Sequence, residues 1–157
     1  MRFVALVGNP KPGSRTLTVA TAAAEAIALA AGVDEGYEII DLSVLSRRLL
    51  LPEPSMAVED ATELVSRAPY RGLEGTAALP LLVMASPQHA LAVDVHLRPL
   101  LLELGATVPT PGLAVLESDL SRLDAVLQPW ANRVAGLVRD PLALAGLQPE
   151  RAAALPA

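Results

Sequence analysis

Short apolar runs alternate along this chain with stretches in which apolar residues recur three and four positions apart. The short runs predict buried strands, and the second pattern predicts amphipathic helices. Strands are predicted at residues 3–7, 37–42, 77–84 and 112–116. Helices are predicted at residues 16–31, 58–68, 88–104 and 118–139, and a loop that contains two prolines is predicted at residues 45–55.

Capping residues and prolines refine the predicted helices. Ser14 or Thr16 is placed to cap the first helix, and Ser118 is placed to cap the last. Pro99 predicts a kink or a break in the third helix, and Pro129 predicts a bend in the fourth. The residues expected to face the core are Leu17, Ala20, Ala24, Ile27 and Ala31 on the first helix, and Leu120, Leu123, Leu127 and Trp130 on the last.

Strict alternation of strands and helices indicates βαβ units with right-handed crossovers and a parallel sheet. The composition agrees, because 52% of the residues are hydrophobic and only 3% are aromatic, which is typical of strands buried on both faces. In such folds ligands bind at the carboxyl ends of the strands. We expect one domain over residues 1–140, followed by an extension at 141–157 that is rich in Ala, Leu and Pro.

Charge and cysteine content exclude several classes of function. A net charge of −5 argues against a nucleic acid as the main partner, since phosphate neutralisation dominates that binding. The absence of cysteine excludes disulfides, thiolate metal sites and cysteine nucleophiles. His89 and His96 lie on one predicted helix without a third histidine, so we expect partly buried, hydrogen-bonded side chains rather than a zinc site.

The longest uncharged stretch, within residues 75–93, is about long enough to cross a bilayer. Pro80, Pro87, Gln88 and His89 interrupt it, however, and strand and helix patterns meet inside it. No basic, apolar leader pattern precedes the first strand. We therefore expect a cytoplasmic protein without a membrane segment.

The most informative segment is residues 8–16, which reads Gly-Asn-Pro-Lys-Pro-Gly-Ser-Arg-Thr between the first strand and the first helix. A helix N-terminus offers unpaired N–H groups and the positive end of the helix dipole, which together favour a bound phosphate. Ser14 and Thr16 add hydroxyl donors, while Lys11 and Arg15 add positive charge. This segment predicts a site for a phosphorylated ligand, although a well-capped turn without a ligand is the alternative interpretation.

Two blocks of sequence resemble the NAD(P)H-dependent FMN reductases, and specifically their alkanesulfonate-type branch. The first is Gly8-Asn9-Pro10-Lys11 with Ser14-Arg15-Thr16, which is similar to the Gly-Ser-x-Arg-x-x-Ser signature of that family. The second runs from Leu73-Glu74-Gly75 through Leu79-Pro80-Leu81 to His89-Ala90-Leu91-Ala92-Val93-Asp94 and Leu97-Arg98-Pro99-Leu100.

The resemblance implies an α/β, flavodoxin-like three-layer sandwich with a parallel sheet, of which four strands instead of five are visible in this chain. It implies a flavoprotein oxidoreductase that binds FMN and takes hydride from NADH or NADPH, as a homodimer or homotetramer. Reduced flavin would pass to a partner monooxygenase. The cofactor-binding residues that it implies are Asn9, Lys11, Ser14, Arg15 and Thr16 around the phosphate, and Met84, Ala85 and Ser86 beside the flavin ring. It implies no catalytic side chain and no metal.

Two departures from the family pattern carry expectations of their own. Where the family has a glycine-rich turn, the side chains of Met84 and Ala85 are expected to crowd the approach to the flavin ring. Between Ala68 and Pro69 a central strand and helix are missing, roughly 25 residues by typical element lengths. The first and third strands would then pair directly, unless a partner subunit or a segment absent from this sequence fills the gap.

Other classes of function fit the residues less well. The runner-up is a degenerate, non-catalytic flavodoxin-like subunit with weak flavin binding or none. A hydrolase built on Ser86, His89 and Asp94 lacks the Gly-x-Ser-x-Gly elbow, and a dinucleotide-binding Gly-x-Gly-x-x-Gly motif is absent. A phosphoreceiver domain would need an acidic pair after the first strand, where this chain has Gly8-Asn9. Asp41, Glu103, Glu117 and Asp119 are interpreted as strand-end, cap or solvated residues.

Overall fold

The computed structural model describes residues 3–32, 37–45 and 72–139. Within these ranges it confirms the four predicted strands, which are β1 Phe3–Val7, β2 Tyr37–Asp41, β3 Leu81–Met84 and β4 Leu113–Leu116. The bounds of β1 are as predicted, and each of the other three strands differs at one end by one to four residues. The predicted helix at 58–68, the loop beyond residue 45, the proposed junction at Ala68 and the extension at 141–157 lie outside the described residues.

The strands form two parallel pairs. β1 pairs with β2, so that Val7 lies opposite Asp41, and β3 pairs with β4, so that Met84 lies opposite Leu116. A single parallel bridge between Ala77 and Thr107 extends the second pair toward its start. Over the described ranges no hydrogen-bonded ladder joins β1 to β3, so direct pairing of the first and third strands is not observed.

The helices are α1 Arg15–Ala31, α2 Leu42–Leu45, α3 Arg98–Glu103 and α4 Leu123–Arg139. The short α2 was not predicted. The single helix predicted at 88–104 is wrong, because the segment consists of a 3₁₀ turn at Pro87–His89, a π-helical turn at Val93–Leu97 and then α3. Pro99 lies in the first turn of α3, where the missing N–H of proline costs nothing. The break expected at Pro99 therefore falls just before it.

The start of the last helix differs from the prediction. A 3₁₀ segment at Glu117–Arg122 precedes α4, and Ser118 lies inside that segment instead of capping the helix. The end of α4 at Arg139 is as predicted, and the helix runs on through Pro129. None of the helices described here is long and apolar enough to cross a bilayer.

The core lies where α1 packs against α4 and against the strands. On α1, Ala24 and Ile27 are buried as predicted, whereas Leu17, Ala20 and Ala31 are only half-buried. The buried stripe is shifted because α1 also faces α4, which draws Val19 and Ala23 inward. On α4 the predicted face is confirmed: Leu127 is buried, and Leu123 and Trp130 pack against the same cluster. Leu120 packs there too, from the 3₁₀ segment before α4.

Asp94 and Arg98 attach the α3 segment to the chain that leads into β4. Arg98 donates to the Oδ1 atom of Asp94 at 2.9 Å, to the carbonyl of Val108 at 3.1 Å and to the carbonyl of Thr110. The same Asp94 oxygen accepts the N–H of Gly112 at 3.0 Å. These bonds hold the chain just before β4 against the turn at Val93–Leu97 and the start of α3.

Gly112 also packs closely against the side chain of Val93, which leaves no room for a Cβ atom at this position. A Cβ atom there would lie 2.5 Å and 2.7 Å from the two methyl groups of the buried Val93. We expect Gly112→Ala to lower the free energy of unfolding by about 1–3 kcal/mol, the usual cost of overpacking. The matched control is Gly136→Ala, in an open position on α4, which should stabilise the protein by about 0.5–1 kcal/mol. Urea denaturation of both variants measures the contrast, and equal effects would contradict it.

Asp94 gives a pH-dependent prediction. The hydrogen bond from Arg98, and then that from the Gly112 N–H, lower the pKa of the Asp94 carboxyl against the opposing effect of burial. A lowered folded-state pKa contributes stability above the unfolded-state pKa and loses it as the pH falls. We expect Asp94→Asn to lower the free energy of unfolding at pH 7 by about 1 kcal/mol, and the loss to become smaller as the pH falls below the unfolded-state pKa of about 4.

Urea titrations at several pH values test this expectation, with the exposed Glu25→Gln on α1 as the control. A loss for Asp94→Asn that is equal at neutral and acidic pH would show that the carboxylate charge is not what stabilises the contact.

Candidate functional site

The candidate site begins where β1 ends and the chain turns into α1. Gly13 adopts a φ of 63°, a left-handed conformation that favours glycine, directly before the cap. Ser14 is the N-cap: its side chain accepts the N–H of Leu17 at 3.1 Å, and its carbonyl accepts the N–H of Thr18 at 3.2 Å. Of the two caps considered from sequence, Ser14 is the correct one. α1 therefore begins at Arg15.

Asn9 braces the loop internally. Its Nδ2 atom donates to the hydroxyl oxygen of Thr16 at 3.1 Å, and its Oδ1 atom accepts the N–H of Lys11 at 3.0 Å. The Nδ2 bond holds the loop against the first turn of α1, and the Oδ1 bond closes a turn within the loop itself. The Thr16 hydroxyl accepts this bond through its oxygen, which leaves its hydrogen to donate elsewhere.

The donors of this loop converge on one helix end. The N–H groups of Arg15 and Thr16 precede the first intrahelical bond of α1, so the helix itself gives them no acceptor. Lys11 is exposed, and the side chain of Arg15 is 63% exposed. The loop and the first turn of α1 thus carry backbone donors, a hydroxyl donor and two cationic side chains, a donor set suited to an anion with several oxygens.

Arg15 has an acidic partner that the sequence analysis did not assign. Its Nη1 atom donates to the Oε2 atom of Glu117, a residue 102 positions away that directly follows β4. Sequence reasoning treated Glu117 as a strand-end or solvated residue. The sequence did contain a signal for this contact, namely the position of Glu117 directly after a predicted strand. The carboxyl ends of parallel strands meet at one edge of a sheet, which brings such residues toward the loops that bind ligands.

This ion pair also shows where Met84, Ala85 and Ser86 lie. Met84 is opposite Leu116 in the β3–β4 ladder, and the next residue after Leu116 reaches Arg15. The segment after β3 and the loop after β1 therefore lie at the same edge of the fold. Met84 is buried and Ala85 is exposed, while the Ser86 hydroxyl accepts the N–H of Gln88 at 3.4 Å.

The residues weighed for other chemistries are not brought together. Asp94 is bound to Arg98 and to the Gly112 N–H, and Ser86 caps its own turn, so these bonds do not assemble a triad. Both His89 and His96 are exposed, which corrects the expectation of partly buried side chains. Over the described ranges, no group of three or more His, Asp or Glu side chains could hold a metal ion.

Solved structures of two oxidoreductases are among those that resemble the chain. An oxidoreductase from Corynebacterium diphtheriae matches with a TM-score of 0.68 at 21% identity, over 88% of this chain and 97% of that chain. The apo form of an NADH:FMN oxidoreductase (EMOB) matches with a TM-score of 0.66 at 22% identity, over 96% of this chain and 91% of that chain. No family profile and no curated protein matches the chain. At these identities the likeness confirms the predicted flavodoxin-like α/β fold and leaves function to be argued from the site.

The capping geometry predicts how much of the loop's order depends on Ser14. We expect Ser14→Ala to lower the free energy of unfolding by about 1 kcal/mol, because the N–H of Leu17 loses its acceptor at a buried helix end. Ser86→Ala is the matched control, since Ser86 caps only a three-residue turn through a longer bond and should cost less. Thermal denaturation measures both, and an equal or larger loss for Ser86→Ala would contradict the assignment.

Proposed function

We propose that this chain is an NAD(P)H-dependent FMN reductase of the flavodoxin-like class. The observation that carries the proposal is the loop at residues 8–16, where backbone, hydroxyl and cationic donors converge at the N-terminus of α1. The likeness of the fold to an NADH:FMN oxidoreductase and to a second oxidoreductase supports it. The resemblance of two sequence blocks to the FMN reductase family adds independent support.

The donor set fits the phosphate of FMN. The N–H groups of Arg15 and Thr16, the Thr16 hydroxyl and the guanidinium of Arg15 would hold the phosphate oxygens, with Lys11 at the rim and Ser14 fixing the helix start. Asn9 would act through the shape of the loop, because both ends of its amide are already bonded within it. Bound FMN supplies hydride chemistry, so the chain needs only to position it beside the nicotinamide.

The segment after β3 would line the flavin ring. Met84 is buried among the protein's own residues, so crowding by its side chain is smaller than the sequence suggests. Ala85 contributes only a methyl group to the exposed surface, and Ser86 keeps the following turn in place. A flat ring could therefore approach the end of β3 without displacing a large exposed side chain.

Further parts of the proposal rest on the sequence. Membership of the alkanesulfonate-type branch and a homodimer or homotetramer are what the resemblance implies, whereas one domain over residues 1–140 and a cytoplasmic location are expected from the patterning of the chain. Reduced flavin would be delivered to a flavin-dependent monooxygenase. The loss of a central strand and helix at Ala68 is also proposed from the resemblance. Direct pairing of β1 with β3, one of the outcomes expected of that loss, is not observed in the described ranges.

One observation favours the runner-up, a non-catalytic subunit that keeps the scaffold. The guanidinium that should bind the phosphate is already paired with Glu117. Oxidation of NADPH and of NADH, followed at 340 nm with and without saturating FMN, separates the two proposals. FMN-dependent oxidation supports the reductase, whereas a flat trace with both nucleotides leaves only the non-catalytic subunit.

The phosphate assignment predicts a selective effect of Arg15. We expect Arg15→Ala to weaken FMN binding by about tenfold or more, the usual cost of losing a hydrogen bond to a charged group. Binding of riboflavin, which lacks the phosphate, should be unchanged. The matched control is Arg122→Ala, which removes an exposed arginine paired with Asp119 on the neighbouring 3₁₀ segment. Flavin fluorescence titration measures all four affinities, and equal losses for both flavins would contradict a phosphate contact.

A further inference from the structure

Glu117 stands in an unusual place for a carboxylate, beside a loop whose other groups are donors and cations. It follows β4 directly, and its Oε2 atom accepts a hydrogen bond from the Nη1 atom of Arg15. The pair spans from the first turn of α1 to the carboxyl end of β4, so two separate elements bring it together. Neither residue is buried, since the side chains are 63% and 36% exposed.

That exposure limits what the pair contributes to stability. Ion pairs between exposed side chains add little to folding, because water and salt screen both charges. Arg15 can therefore exchange one acceptor for another at low cost. The pair is better explained by the chemistry of the loop than by the stability of the fold.

A carboxylate and a phosphate compete for the same guanidinium. Arginine binds a phosphate most strongly when two of its parallel N–H groups donate to two phosphate oxygens. In this structure the Nη1 group of Arg15 already donates to Glu117. A phosphate monoester carries close to two negative charges at neutral pH, so a neighbouring carboxylate also repels it. Binding of the phosphate must either displace Glu117 or accept that repulsion.

We infer that Glu117 is a specificity-determining residue of the phosphate site: it occupies Arg15 in the free protein and weakens the binding of phosphorylated flavin relative to the unphosphorylated form. This inference rests on the proposed function, because it assumes that the loop binds the phosphate of FMN. Its consequence is that FMN dissociates more readily than it would without this carboxylate.

The test compares Glu117→Gln with Asp119→Asn. The second variant removes a negative charge only two residues away, from a side chain that pairs with Arg122 and not with Arg15. Fluorescence titrations with FMN and with riboflavin give four affinities for the two variants and two for the unchanged protein. We expect Glu117→Gln to tighten FMN binding by about twofold to fivefold, the range expected for removing a competing exposed ion pair. The affinity of Glu117→Gln for riboflavin should not change. Asp119→Asn should change the affinity for FMN by less than half as much as Glu117→Gln does.

The outcomes separate this inference from the proposed function. Binding of FMN by the unchanged protein, with no gain in Glu117→Gln, overturns the role of Glu117 and leaves the proposed function standing. Equal gains in Glu117→Gln and Asp119→Asn also overturn it, because net charge would then account for the effect. Failure of all three proteins to bind FMN at millimolar concentration overturns both. Far-ultraviolet circular dichroism of each variant shows that a changed affinity does not come from unfolding.

Discussion

The hydrogen bond from the N–H of Leu17 to the Ser14 side chain fixes where α1 begins, and the candidate site depends on that position. α1 packs against β1, β3 and α4, so its first turn cannot move without disturbing the core. Anchored in this way, the turn presents the N–H groups of Arg15 and Thr16 at the edge where the strands end. Asn9 then joins the loop to the same turn through its bond to Thr16, and it holds the loop itself through its bond from the N–H of Lys11.

Much of this arrangement follows from the sequence because it is local. The four strands, the N-cap at Ser14 and the buried face of α4 each depend on residues close together in the chain, and each is confirmed. The prediction of one helix at residues 88–104 was wrong because the conformation of this segment depends on partners outside it. Apolar spacing predicted one long helix, whereas the observed segment divides into two short turns and α3. The side chain of Arg98 in α3 bonds to the carbonyls of Val108 and Thr110, which the spacing could not show.

The same distinction holds for the site. The residues of the loop were recognisable because they are consecutive. Glu117 lies at the end of β4, as expected of a strand-end residue, but its pairing with Arg15, 102 residues away, was not predicted. Asn9 was expected at the phosphate by resemblance, yet the structure gives both ends of its amide a role inside the loop. Side-chain pairing between separate elements is set by packing, and a single sequence carries no direct record of it.

The central claim is that the loop between β1 and α1 binds the phosphate of a flavin. A crystal structure of the full chain with FMN tests it most directly, because it locates the phosphorus atom without any assumption about activity. The account predicts phosphate oxygens within hydrogen-bond distance of the N–H groups of Arg15 and Thr16 and of the Thr16 hydroxyl. FMN bound elsewhere on the molecule, with this loop holding only water, would contradict it.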